Sequence, residues 1–215
     1  MSLYFLHLNT HVVGFIRFSA PPTRAPLVVF VTSKRYTGDL VSEANALLGT
    51  ALTQGLDAAD ALCQAHADAA SLPGDYMAWL SILSSYVVNR LPDNSQGYVS
   101  TNSVVTFIAS NRADLLDHQL NVPIDHDEFG NWVDPDDDSE GSFNWAVWTG
   151  STSHGRVGNP ADPLCDNWAS SSSSVRGIVG DTQNTGDGTN TVGDNWSRFT
   201  SLLCSTKHRL YCFQL

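Results

Sequence analysis

LDAADALCQAHADAA (residues 56–70) is the stretch whose reading decides the fold. Leu56, Ala59, Cys63 and Ala67 recur at helical spacing and form one apolar face. The stretch therefore predicts an amphipathic helix with Cys63 pointing inward. Pro73 and Gly74 stop it. Upstream, residues 40–54 also read as helix, and LVVFVT (27–32) is a continuous apolar run typical of a buried strand. A turn around Tyr36, Thr37, Gly38 and Asp39 joins them. Downstream, Trp79, Leu80, Leu83 and Val87 predict a further helical face over 76–91, ending before Pro92.

After Leu91 the texture changes. Short β-prone pieces (98–99, 104–108, 146–149 and 210–213) alternate with polar loops, which makes an α+β plan rather than a βα repeat. Residues 166–198 are poor in apolar side chains and read as one long loop, a feature that is usually functional in a compact domain. At the other end, residues 1–26 read as a β-prone arm closed by Pro21, Pro22 and Pro26, and residues 27–215 as one domain. The arm lacks the basic start of a secretory signal, and the longest apolar runs are too short to span a bilayer.

Charged residues make up 15% of the 215, below the roughly 25% usual in soluble domains. The net charge of −11 argues against nucleic acid as a partner, because that recognition relies on cations neutralising phosphates. Ten carboxylates and no Lys or Arg lie between Asp114 and Glu140. Within that run, Asp134, Asp136, Asp137, Asp138 and Glu140 are the candidate calcium ligands, since calcium takes several carboxylate oxygens, although EF-hand spacing is absent. No other cofactor is indicated. His7 and His11 share a face if the arm is a strand, but each histidine reads as a surface residue. No GxSxG is present, and no carboxylate pair is placed by a motif, so no enzyme can be assembled.

Four cysteines, Cys63, Cys165, Cys204 and Cys212, allow three disulfide pairings. No CxxC pair occurs, so disulfides and an oxidising compartment are the better reading than structural zinc. The motif series can then be followed along the chain: VFVTS (29–33), YTGDL (36–40), AADALCQ (58–64), LPG (72–74) with AWLS (78–81), and NRL (89–91). It continues with Pro123-Ile124, DEFGN (127–131), VWTG (147–150), CDNW (165–168) and RLYCF (209–213). In this order the pieces resemble a bacterial C-type-lectin-like domain of the DUF1554 type, with a more distant likeness to the endostatin domain of collagen.

The resemblance runs from about Val28 to the end. It implies two nested links, Cys63–Cys212 and Cys165–Cys204. It also implies a C-type-lectin-like fold of two helices and a small, irregular, mostly antiparallel sheet with long loops. Two departures stand out: residues 42–54 lengthen the link between YTGDL and the Cys63 helix, and the Glu-Pro-Asn, Gln-Pro-Asp and Trp-Asn-Asp motifs of sugar-binding lectins are missing.

The expected function is non-enzymatic recognition or adhesion at a cell surface or outside the cell, with the loop at 166–198 displayed to a glycan or protein. Trp79, Trp145 and Trp148 sit in apolar context and read as core, whereas Trp132, Trp168 and Trp196 sit beside polar loop residues. Aromatic rings bring large contact area to binding surfaces. The candidate ligand contacts are accordingly Trp168, Asp181, Asn184, Asp187, Asn190, Asp194, Asn195 and Trp196. The alternative is a structural or decorating subunit of a surface assembly, joined to a neighbour by strand addition through residues 1–26.

Overall fold

The computed structural model describes residues 25–102, 106–137, 143–187 and 196–215. The predicted strands of the arm lie outside the described residues. The fold is α+β. In chain order its elements are β1 (Leu27–Val31), α1 (Leu40–Leu48), α2 (Gly55–Ala69), β2 (Tyr76–Ala78), α3 (Val87–Arg90), β3 (Tyr98–Ser100), β4 (Phe107–Ala109), α4 (Arg112–Leu115), β5 (Ala146–Trp148), α5 (Cys165–Trp168), β6 (Arg176–Asp181), β7 (Thr200–Leu203) and β8 (Arg209–Gln214).

Among the described residues the eight strands form one mixed sheet in the order β4-β3-β1-β8-β5-β6-β7, with β2 also on β8. The sheet is larger than expected; it is mostly antiparallel, as expected, with β1 parallel to β3 and β5 parallel to β8. Three of the five helical segments are single turns, leaving α1 and α2 as the two substantial helices.

The last strand is central. One edge of β8 pairs with β1, Phe30 opposite Cys212. The other edge is shared: β5 takes Arg209 and Leu210, and β2 takes Cys212 to Gln214. Side chains alternate across a strand, so Leu210 and Cys212 enter the core beneath α1 and α2, while Tyr211 and Phe213 enter a second core beneath the loops. Strand β1 divides likewise, Phe30 going to the helix side and Val29 and Val31 to the loop side. A strand covered on both faces needs apolar residues throughout, which is why LVVFV and LYCF show no polar alternation.

Helix α2 forms where its apolar spacing predicts it, with Cys63 fully buried. Its polar face also has a structural role. The carboxylate of Asp60 accepts from Ala78 N (2.9 Å) and the amide oxygen of Gln64 accepts from Tyr76 N (2.8 Å), so α2 satisfies backbone donors of β2 that the ladder leaves over. Helix α1 is shorter than predicted. It stops at Gly49, which takes the left-handed conformation (φ 65°) and donates to Asn45 O.

Two expectations are corrected. Residues 76–91 are not one helix. Tyr76 to Ala78 add to β8, a turn follows at residues 83–84, only Val87–Arg90 is helical, and Trp79 and Leu80 enter opposite cores while Leu83 is exposed. Nor are residues 166–198 one loop, because β6 crosses them. Its glycines hid the strand signal, and both are demanded by close approach. A Cβ on Gly177 would lie 2.6 Å from Cys165 Sγ, and one on Gly180 would strike Trp196 O.

The disulfides are Cys63–Cys212 and Cys165–Cys204, with separations of 149 and 39 residues. The first ties α2 to β8. The second ties the start of β6's approach to the end of β7. It also holds α5, a left-handed turn in which Cys165, Asp166, Asn167 and Trp168 all have positive φ (47° to 66°). Such a turn is unfavourable for residues with a Cβ. Here it is fixed by bonds from Trp168 N to Leu164 O and Ala169 N to Cys165 O. On chain-entropy grounds the outer link stabilises by about 5 kcal/mol and the inner by about 4 kcal/mol. Urea unfolding of the Cys63→Ala/Cys212→Ala and Cys165→Ala/Cys204→Ala proteins should therefore show the larger loss in the former.

Candidate functional site

The ends of three neighbouring strands build the site. Trp145 precedes β5, Asp181 ends β6 and Phe199 precedes β7. Because β5 and β7 both run antiparallel to β6, these positions share one end of the sheet. Trp145 lies between Phe143 (centroids 5.6 Å, 84°) and Phe199 (5.1 Å, 89°) in an edge-to-face row. Phe143 is 45% exposed and Phe199 46%, and Trp145 is half-buried, so the row faces water over part of its area. Edge-to-face rings hold one another in place, which gives a surface aromatic group a fixed shape.

Polar groups adjoin the row. Thr182 N donates to Trp145 O (2.9 Å), which fixes the turn after β6 against the tryptophan. Within that turn the Asp181 carboxylate accepts from Gln183 N (2.8 Å) and from Asn184 Nδ2 (3.0 Å). Two of the predicted contacts, Asp181 and Asn184, are thus brought together, and Asp187 follows at an exposed position. Asn190, Asp194 and Asn195 lie outside the described residues.

Trp168 and Trp196 are corrected. Both are fully buried. Trp168 donates from Nε1 to Ser81 O (3.0 Å), and Trp196 packs on Trp79 (4.9 Å) and Tyr211 (6.0 Å). Neither ring offers a face to a ligand. Trp145, read as core, packs against the core but is only half-buried in the row, and Trp132 is 54% exposed.

In the acidic run, the Asp134 carboxylate accepts from Asp136 N (3.0 Å), a local turn. Asp134, Asp136 and Asp137 do not converge, and among the described residues no three His, Cys, Asp or Glu side chains are placed to hold a metal. Asp138 and Glu140 lie outside the described residues.

Sequence reasoning missed a buried relay on the helix side. His66 Nδ1 is 2.6 Å from Glu128 Oε1 and His66 Nε2 is 2.6 Å from Tyr36 Oη. A carboxylate only accepts, so Nδ1 carries a hydrogen and donates to Glu128. Ser33 adds its N–H (2.8 Å) and its hydroxyl to the same carboxylate. Burial works against the Glu128 charge, but the hydrogen bond and charge of His66 and the Ser33 hydroxyl outweigh it, and the carboxyl is held below its usual range. Burial, then the charges of Glu128 and Glu43, push the Tyr36 phenol up. The relay joins residues far apart in sequence, and no local motif announces it.

No protein-family model matches the chain, and no curated protein matches it. Among the described residues no helix is long and apolar enough to cross a membrane.

His208 supplies a pH dependence. It is fully buried, 4.6 Å edge-on from Trp148, and burial together with the nearby Arg35 charge pushes it down from 6.5 to about 3. The unfolded chain takes up this proton near 6.5 and the folded chain only near 3. Stability from this group is thus complete above the unfolded value and lost as pH falls from 6.5 toward 3. Urea midpoints measured across that window should fall less steeply for His208→Gln than for the natural chain.

Proposed function

We propose that this chain is a C-type-lectin-like recognition domain that binds glycans outside the cell, without catalysis, through the end of the sheet carrying Phe143, Trp145 and Phe199. The fold reading is supported by the pairing of the first and last strands of the domain, by the α2-to-β8 disulfide and by the inner disulfide beneath β6 and β7. The compartment is supported by the two disulfides, which persist where thiols are not kept reduced.

The observation that carries the ligand reading is the aromatic row beside Asp181 and Asn184. Sugars present apolar C–H faces and a fringe of hydroxyls. Partly exposed rings suit the former, and a carboxylate with a carboxamide suits the latter. Since the calcium–sugar motifs of lectins are missing, this binding is independent of calcium.

A glycan array probed with and without EDTA tests the reading. The expected result is a restricted set of bound glycans, unchanged by EDTA and lost in Phe199→Ala and Phe143→Ala, both of which remove half-exposed rings and leave the thermal unfolding curve close to that of the natural chain. A silent array, or binding that survives both substitutions, would overturn it.

A further inference from the structure

The chain has only two lysines, Lys34 and Lys207, at opposite ends of a sequence with net charge −11. The fold brings them together. The segment after β1 runs antiparallel to the segment before β8, with Tyr36 N donating to His208 O (2.7 Å) and His208 N to Tyr36 O (2.8 Å). Both lysines then line one open cavity of about 350 Å³ along α1, with Arg35 and Glu43. That cavity shares Lys34 and Leu47 with a second one of about 310 Å³, walled by Leu48, Ala65, Ala69 and Phe129. The two adjoin at Lys34 and Leu47 and together are termed the cleft, the first lined by cationic groups and the second chiefly by apolar ones.

The polar groups of the cleft differ in what they can still bind. Glu128 and His66 line the apolar end, but the carboxylate is taken by Ser33 and His66, and the imidazole by Glu128 and Tyr36. Glu43 accepts on Oε1 from Thr37 N (3.0 Å) and Thr37 Oγ1 (2.9 Å). The two lysines are exposed, and among the described residues neither ammonium is paired with a carboxylate. At the apolar end Leu47 is 47% exposed and Phe129 57%. Apolar side chains that line a concavity offer surface that an apolar ligand body can cover.

We propose that this cleft binds a small amphipathic anion, a carboxylate on an unbranched or flat apolar body. The head lies between Lys34 and Lys207, where ammonium-to-carboxylate hydrogen bonds are charge-assisted. The body lies over Leu47, Leu48 and Phe129. Charge complementarity selects the head: in so acidic a chain, convergence of its only two lysines rejects cationic amphiphiles. The volume selects a small ligand, at the lower end of the range for ligand cavities. The site shares no residue with the aromatic row, and it stands or falls independently of glycan binding.

Titration calorimetry with octanoate, octylamine and acetate, on the full chain, tests this. Octanoate should bind, octylamine and acetate should not, and Lys34→Gln/Lys207→Gln should weaken octanoate by about tenfold or more, the scale of a lost charged hydrogen bond. Both lysines are exposed, so the double variant should unfold at the natural temperature. Leu47→Ser, at an equally exposed position, should also weaken octanoate. Absence of octanoate binding, equal binding of octylamine, or unchanged binding by the double lysine variant would each overturn the proposal.

Discussion

The C-terminal strand β8 has hydrogen-bonding partners on both edges and apolar packing on both faces. Three other strands, β1, β2 and β5, pair with it. Its alternating side chains divide the interior, Leu210 and Cys212 on one side, Tyr211 and Phe213 on the other. The disulfide from Cys63 then fixes α2 to the same strand. Few of these contacts are local in sequence, so the sheet cannot close until the end of the domain is in place. A link across 149 residues offsets much of that loop-closure entropy in the unfolded chain.

Around this strand several buried polar groups are tied into shared hydrogen-bond networks. The Tyr36–His66–Glu128 relay receives Ser33, and Asp60 is shared between Ala78 N and Arg90. Arg209, at the start of β8, donates to the carbonyls of Thr32 and Ser33 and to Asn144 Oδ1 (2.9 Å). These bonds set the path of the segment after β1, and with it the position of Lys34. The relay ties Ser33, beside Lys34, to α2 through Glu128 and His66.

The two surfaces proposed to bind ligands arise from different constraints. The aromatic row stands at the end of three paired strands, so its spacing is inherited from the ladder. The lysine cleft stands where a helix pair meets an irregular segment, so its shape is set by side-chain packing. In each case rigid elements supply the frame, and the groups facing water are those that the frame leaves uncommitted.

The sequence by itself determined the local pieces and the scale of the problem. Regular spacing placed α2, a continuous apolar run placed β1, a short β-prone piece placed β8, and the even count of cysteines without CxxC pointed to disulfides. The motif order anticipated which cysteines pair. The helix and strand signals are legible because each depends on neighbours within one or two turns of chain. Tertiary structure alone decided the rest. Trp168 and Trp196 look like surface rings because their sequence neighbours are polar, yet the sheet draws both inward. Trp145 looks like core because its neighbours are apolar, yet it sits at the end of a strand. Residues 76–91 have helical spacing, but pairing of Tyr76 to Ala78 with β8 overrides it. Strand β6 was hidden by glycines that only a distant sulfur and a distant carbonyl make necessary. The meeting of Lys34 with Lys207 follows from the pairing of Tyr36 with His208, a long-range contact that no window of sequence contains.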